Sequence, residues 1–160
     1  MSEYAATIQR LEERVARLED ELAVRRLVSA YGPAVDSGSA DAAAGLWEED
    51  GVYDSDASVW RGREEIAGMV KGEGHQGLIH RGAAHVIAAP YVRVAGDEAV
   101  ATCYSRVYRR TDDGYEVWRL AVNRWELVRT PEGWRARYRT NRLIDGSSEP
   151  RQLLGKGLAG

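Results

Sequence analysis

This 160-residue chain has almost no cysteine: Cys103 stands alone. One thiol closes no internal disulfide, and with only three scattered histidines it matches no zinc-ligand spacing, so structural-metal and thiol-redox readings drop out. No run approaches the roughly eighteen uninterrupted apolar residues of a membrane helix. Neither sign of charge dominates. With 22 basic and 25 acidic residues the net charge is −3, which gives no general attraction to nucleic acid or to an anionic membrane. The apolar stretch of a secretory signal is missing as well, because Gln9, Arg10, Glu12, Glu13 and Arg14 arrive almost at once. A cytoplasmic location is the expectation. Repeats at solenoid periods and low-complexity segments are also absent. What remains, at 44% hydrophobic content, fits one domain with a modest core.

From Ile8 the apolar positions run Ile8, Leu11, Val15, Leu18 and Leu22, a narrow helical stripe between charged residues. The stripe then changes phase to Val24, Leu27, Val28 and Tyr31, so the two halves of the helix pack against different surfaces. Residues 1–21 read as an amphipathic arm, 22–145 as the domain and 146–160 as a Gly-rich polar tail ordered against a partner. Fewer than three clean heptads make a free coiled coil the weaker reading of the arm; covering its own domain or a neighbouring subunit is the stronger one. A homo-oligomer, dimer or trimer, is expected.

Gly32-Pro33 is expected to kink or interrupt the helix, which puts Asp36 beyond the break. Ser39 or Asp41 can cap a second helix through Ala42, Ala43, Leu46 and Trp47, closed by a turn at Glu48-Glu49-Asp50-Gly51. Two short strands, Val52 to Asp54 and Ser58 to Trp60, precede a helix from Arg63 to Val70 and a loop from Gly72 to Gly77. The second half is different in character. Ala83 to Val94, Val100 to Arg109, Tyr115 to Arg129 and Trp134 to Ile144 are long β-rich runs, separated by short turns that carry Gly, Asp and Pro. Helices first and an antiparallel meander afterwards give an α+β fold: a curved sheet covered by N-terminal helices.

One constellation carries chemistry. Tyr31 and Asp36 lie near the end of the first helix, and His85 sits on the small apolar face Ala83, His85, Ile87, Ala89, where an unpaired imidazole is costly. If Asp36 accepts a hydrogen bond from one ring nitrogen, the other is left basic, the arrangement of an acid/base pair. Against this, Asp36 is also a natural helix-end cap, Tyr31 a natural core aromatic, and His85 a histidine that can be satisfied by a backbone carbonyl. His75 and His80 read as solvated residues of a loop. Arg135, Arg137 and Arg139 alternate on one face, so a regular strand turns all three to solvent, and only a bulge brings one inward.

The segments "AVRRLVSAYGPAVDSGSADAAAGLWEEDGVYD", "RGREEI", "HVIAAPYVRVAGDEAVATCYSRV" and "NRWELVRTPEGWRARYR" resemble the SnoaL-like group of the nuclear-transport-factor-2-like superfamily, across nearly the whole chain. The resemblance implies a cone-shaped α+β barrel with a mixed or antiparallel sheet. It also implies dehydratase, isomerase, cyclase, hydrolase or purely binding functions, since the group includes scytalone dehydratase, ketosteroid isomerase and bile acid 7α-dehydratase. By that resemblance Tyr31 and Asp36 match the first-helix tyrosine and aspartate of the bile acid dehydratase, Asp36 also the helix aspartate of scytalone dehydratase, and His85 the strand histidine of both. A further acidic or histidine residue of those enzymes falls near Tyr108 or Arg109, where the likeness thins. The family arginine of the last strand is Arg139, or Arg142 if the strand bulges. The favoured reading is therefore a lyase or isomerase without cofactor or metal, acting on a hydrophobic polycycle such as a steroid or polyketide. In it His85 is the base, Asp36 its orienter and Tyr31 the donor, and Ser55, Tyr108 and Arg139 are substrate contacts. A hydrophobic-ligand-binding or dimerisation module is the alternative, followed by a polyketide cyclase or an epoxide hydrolase. Fold alone does not choose among them.

Overall fold

In the computed structural model, which describes residues 3–159, the N-terminal helix α1 runs unbroken from Glu3 to Asp36. Gly32-Pro33 does not interrupt it. Pro33 faces solvent, where water can hydrate the carbonyl that the proline deprives of its intrahelical donor. Asp36 is thus the last residue of the same helix. Gly32 serves a different purpose from the expected kink. A Cβ there would lie 2.2 Å from the backbone carbonyl oxygen of His85, so glycine allows α1 to pass this close to the strand behind it. Val24, Val28, Tyr31, Ala34 and Val35 form the buried face.

Helix α2 (Ala40–Ala44) is shorter than the sequence suggests, and Trp47 opens strand β1 (Trp47–Ser55). The expected turn at Glu48 to Gly51 lies inside that strand as an irregular stretch, where pairing jumps from Trp47 to Val52. Gly51 is needed there, because a Cβ would meet the Ala136 carbonyl at 2.8 Å. Strand β2 (Val59–Arg61) pairs back on β1, and helix α3 (Gly62–Lys71) follows. The expected loop over 72–77 is instead most of helix α4 (Glu73–His80). Glycine is a poor helix former, yet tertiary bonds override propensity here: Gln76 Nε2 donates to the Val70 carbonyl and His75 Nε2–H to the Val35 carbonyl, each at 2.7 Å.

The run Ala83 to Val94 is two strands, β3 (Ala83–Ile87) and β4 (Tyr91–Ala95), divided by Ala88-Ala89-Pro90, because Pro90 has no donor for a ladder. Both pair antiparallel with β5 (Glu98–Thr111), which continues into β6 (Gly114–Thr130) and β7 (Gly133–Leu143) as an antiparallel meander. Strand β1 joins β7 in parallel, so the sheet reads β2-β1-β7-β6-β5-β3 and is mixed, curved and unclosed. Its concave face packs Trp47, Trp125, Leu127 and Ala136 against α1 and against Ile66 and Val70 of α3. The tail also differs from its expected form. Helix α5 (Ser148–Leu158) packs on the chain's own β5, so closely that a Cβ on Gly157 would fall 2.0 Å from Thr102 Oγ1.

Candidate active site

Asp36 and His85 meet where α1 passes β3. The His85 backbone N–H donates to Asp36 Oδ2 at 2.7 Å, and His85 Nδ1 lies 2.5 Å from Asp36 Oδ1. A carboxylate only accepts, so Nδ1 carries a proton, and in the neutral ring Nε2 keeps its lone pair. No protein partner meets Nε2 among the described residues. The side chains are 24% (Asp36) and 15% (His85) exposed, so the pair is held largely out of water. Tyr31 stands beside it, its ring edge-on to that of His85 with centroids 6.5 Å apart. Burial raises the Tyr31 phenol above its ordinary pKa, which keeps it a neutral donor.

Arg139 closes the other side, and a bulge puts it there. Along β7 the ladder to β6 pairs Ala136 with Leu127 and Tyr138 with Glu126, leaving Arg137 unopposed. One extra residue flips the alternation. Trp134 and Ala136 face inward before the bulge, and Arg139 and Asn141 face inward after it. Arg139 is 2% exposed. Its Nε and Nη2 donate to Asn123 Oδ1 at 3.0 and 2.7 Å, and its guanidinium carbon lies 3.9 Å from the Tyr31 ring centre and 4.4 Å from those of Tyr53 and Trp125. Asn141 Nδ2 donates to the same Asn123 oxygen at 2.7 Å. Arg139 Nη1 is buried with no hydrogen-bond partner among the described residues. An always-charged group is thus held by neutral partners alone, with the two N–H donors of Nη1 unused.

Between the two sides lies a cavity of about 110 Å³. Met69, Ile87, Val107 and Trp118 give it apolar walls; Tyr31, Tyr53, Ser105 and Asn141 add polar groups, and Arg106, Arg119 and Arg139 charge. Among the described residues no aspartate or glutamate is on the lining, since Asp36 sits behind His85. The cavity is more polar and more cationic than the expected hydrophobic polycycle requires.

Of the expected residues, Tyr31, Asp36, His85 and Arg139 come together. Ser55 does not join them: its hydroxyl ties the β1–β2 turn, accepting from the Ala57 and Ser58 amides and donating to the Ser58 carbonyl. Tyr108 lies opposite a bulge of β6, where Trp118 is left unopposed, and is not on the lining. Arg142 faces outward and pairs with Asp54 and Glu149. Late in β5 the residues that reach the cavity include Ser105 and Val107, the latter directly across from His85. His75, read as solvated loop, instead lines the cavity with its ring 5.6 Å from that of His85. Its glycine-rich surroundings concealed it. Asn123 was missed, although the inward alternation Ala121, Asn123, Trp125, Leu127 puts one amide on an otherwise apolar face.

A curved mixed sheet wrapped around a helix-lidded cavity defines a cystatin-like, nuclear-transport-factor-2-like cone. The SnoaL-like domain model matches residues 16–140, and the chain belongs to that family. Among solved structures, a nuclear-transport-factor-2-like protein with a cystatin-like fold from Novosphingobium aromaticivorans is 42% identical over 90% of this chain and 94% of its own, with a TM-score of 0.88. A Mycobacterium tuberculosis protein of unknown function is 22% identical over 92% and 90%, TM-score 0.73, and shares the fold. A second Novosphingobium aromaticivorans protein, described as a candidate aromatic ring hydroxylase, is 26% identical over 79% and 90%, TM-score 0.63. The curated proteins contain no match.

Proposed function

We propose that the protein is a cofactor-independent lyase or isomerase of the dehydratase type, which removes a proton next to a carbonyl on a hydrophobic substrate such as a steroid or polyketide. The observation that supports this is the opposition of two groups across one cavity: an imidazole oriented by a carboxylate, and a buried guanidinium with unused donors. His85 Nε2 takes the α-proton, and the electron pair of the C–H bond moves onto the carbonyl oxygen. Arg139 Nη1 and the Tyr31 hydroxyl are the donors for that enolate oxygen, in place before charge develops. Collapse of the enolate expels a β-hydroxyl, which leaves as water with the proton from His85. In an isomerisation, that proton returns to a conjugated carbon instead. The cavity is below the roughly 300–1,000 Å³ that encloses a drug-sized ligand. The carbonyl-bearing end therefore enters, and the remainder runs out past half-exposed Trp118.

The test is hydrogen–deuterium exchange in D2O, followed by NMR, on a panel of cyclic enones and β-hydroxy or β-keto thioesters. The native protein is expected to catalyse exchange next to the carbonyl, and His85→Ala and Asp36→Asn to lose about 10²- to 10⁴-fold. Exchange that both variants retain in full would falsify the assignment. A second reading, a module that binds a carbonyl or carboxylate ligand without turning it over, is favoured by the lack of any lining carboxylate. In that case ligands bind, no exchange occurs, and His85→Ala leaves affinity unchanged.

A further inference from the structure

The N-terminal part of α1 carries an apolar seam that its own domain leaves open. Tyr4, Ile8, Leu11, Val15, Leu18 and Leu22 recur at alternating spacings of four and three, and they are 38–76% exposed. In heptad notation Ile8, Val15 and Leu22 occupy a, and Tyr4, Leu11 and Leu18 occupy d. The domain holds the opposite side of the helix. Asp20, at f, accepts from Arg129 Nη1 and Nη2 at 2.7 and 2.8 Å and from Trp134 Nε1 at 3.1 Å. Beyond Leu22 the next seam positions are Arg25 and Ser29, and burial moves to Val24, Val28 and Tyr31. The seam therefore stops where the core begins, and the Asp20 clamp points it away from the sheet.

We propose that this seam pairs with the same segment of a second copy of the chain as a parallel, two-stranded coiled coil. Mostly β-branched residues at a with leucine at two of three d positions select two strands. Charge selects the direction. In a parallel pair each g residue faces the e residue five positions later on the other helix, which brings Arg14 to Glu19 of the second copy, twice by symmetry. An antiparallel pair sets e against e, and both full e positions, Glu12 and Glu19, are glutamates. Glu12, Arg14 and Glu19 have no ion-pair partner among the described residues, so these charges are available. The seam is only about 28 Å long at roughly 1.5 Å per residue, too short for a free peptide. Here it continues a helix whose other half is packed in the core, so the cost of nucleation is already met.

Sedimentation equilibrium of the full chain is expected to give twice the 17.7 kDa chain mass. Leu11→Glu with Leu18→Glu, both at exposed positions, is expected to weaken association at least 100-fold with an unchanged near-ultraviolet circular dichroism spectrum. In a Cys103→Ser background, Leu18→Cys should oxidise to a disulfide-linked dimer, and a mixture of Ile8→Cys and Leu18→Cys chains should give no preferred heterodimer. A monomer, a trimer, an assembly that the double variant leaves intact, or preferential Ile8→Cys to Leu18→Cys cross-linking would each overturn the proposal.

Discussion

Replacing Arg139 by methionine separates the stability of this protein from its chemistry. Moving a guanidinium out of water costs several kcal/mol even after relaxation. Here that cost is offset by two bonds to one amide oxygen, at about 1.5–3 kcal/mol each, and by three ring faces, at up to about 2 kcal/mol each when desolvated. Set against them is the unmet Nη1 donor, at about 1–3 kcal/mol. Methionine keeps most of the volume, gives the three rings a thioether neighbour, and leaves Asn123 Oδ1 still bonded to Asn141. Gains and losses are then of similar size, and Arg139→Met should change stability by only about 1 kcal/mol, which is roughly 2–4 °C in Tm for a chain of this length. Ligand response should change far more. An anion or enolate analogue at about 100 times its Kd adds ~2.7 kcal/mol to the native protein, a rise of roughly 5–10 °C, and the variant should show none of it. Differential scanning fluorimetry over a panel of small carboxylates and phenolates reads both effects. A loss of more than about 3 kcal/mol in the ligand-free variant would show that the charge is a structural element, and an equal ligand-induced rise in both proteins would remove Arg139 from the binding site.

Gly32→Ala should lower stability by about 1–3 kcal/mol, the usual cost of overpacking, and should shift or abolish the downfield NMR resonance of the His85 Nδ1 proton. Gly68→Ala, on an open face of α3, should instead stabilise by about 0.5–1 kcal/mol; similar outcomes for the two would refute the close approach of α1 to β3. Acid should act through Asp20 and Asp54, whose hydrogen bonds to Arg129 and Arg142 hold both carboxyls below their ordinary pKa of 3.8. Their folded-state pKa is depressed, so their contribution is fully present above about pH 5 and is lost as pH falls below about 4. Urea midpoints measured from pH 2 to 6 should decline in that window, with a shallower decline in Asp20→Asn and Asp54→Asn.

The periodic parts of this fold are readable in the sequence because burial imposes period. The strands from Val100 onward lie where alternation and the Gly, Asp and Pro turns put them, and the phase shift after Leu22 marks where α1 meets the core. What sequence reasoning missed lies where tertiary contact overrides local preference. Glycine suggested a loop over 72–77, yet bonds from His75 and Gln76 to the α1 and α3 carbonyls hold a helix there. Glu48 to Gly51 has turn composition, yet it forms the irregular middle of β1 because β7 beside it is also irregular. Gly32-Pro33 was legible as a special place but not in its purpose, since nothing local says that the His85 carbonyl lies against Gly32.

Two departures from local preference, a glycine inside the unbroken α1 and a bulge in β7, assemble the site, the pattern expected where function overrides local consistency. Gly32 admits β3 to the flank of α1, so that a helix-terminal carboxylate reaches both the backbone and the ring of one histidine. The bulge at Arg137 decides which arginine is inside: without it the inward face of β7 would continue through Tyr138 and Thr140, and Arg139 would join Arg137 outside. Tyr31 connects the two devices, with His85 at the edge of its ring and the Arg139 guanidinium over its face. Residue 137 is the inserted one, so removing it leaves Arg139 two positions after inward-facing Ala136 in a regular strand, and the guanidinium stays inside. Both Arg137→Ala and a chain lacking residue 137 should therefore keep the buried guanidinium and the ligand-induced rise in Tm. Loss of that rise in the shortened chain alone would mean that strand alternation is not what orients the arginine.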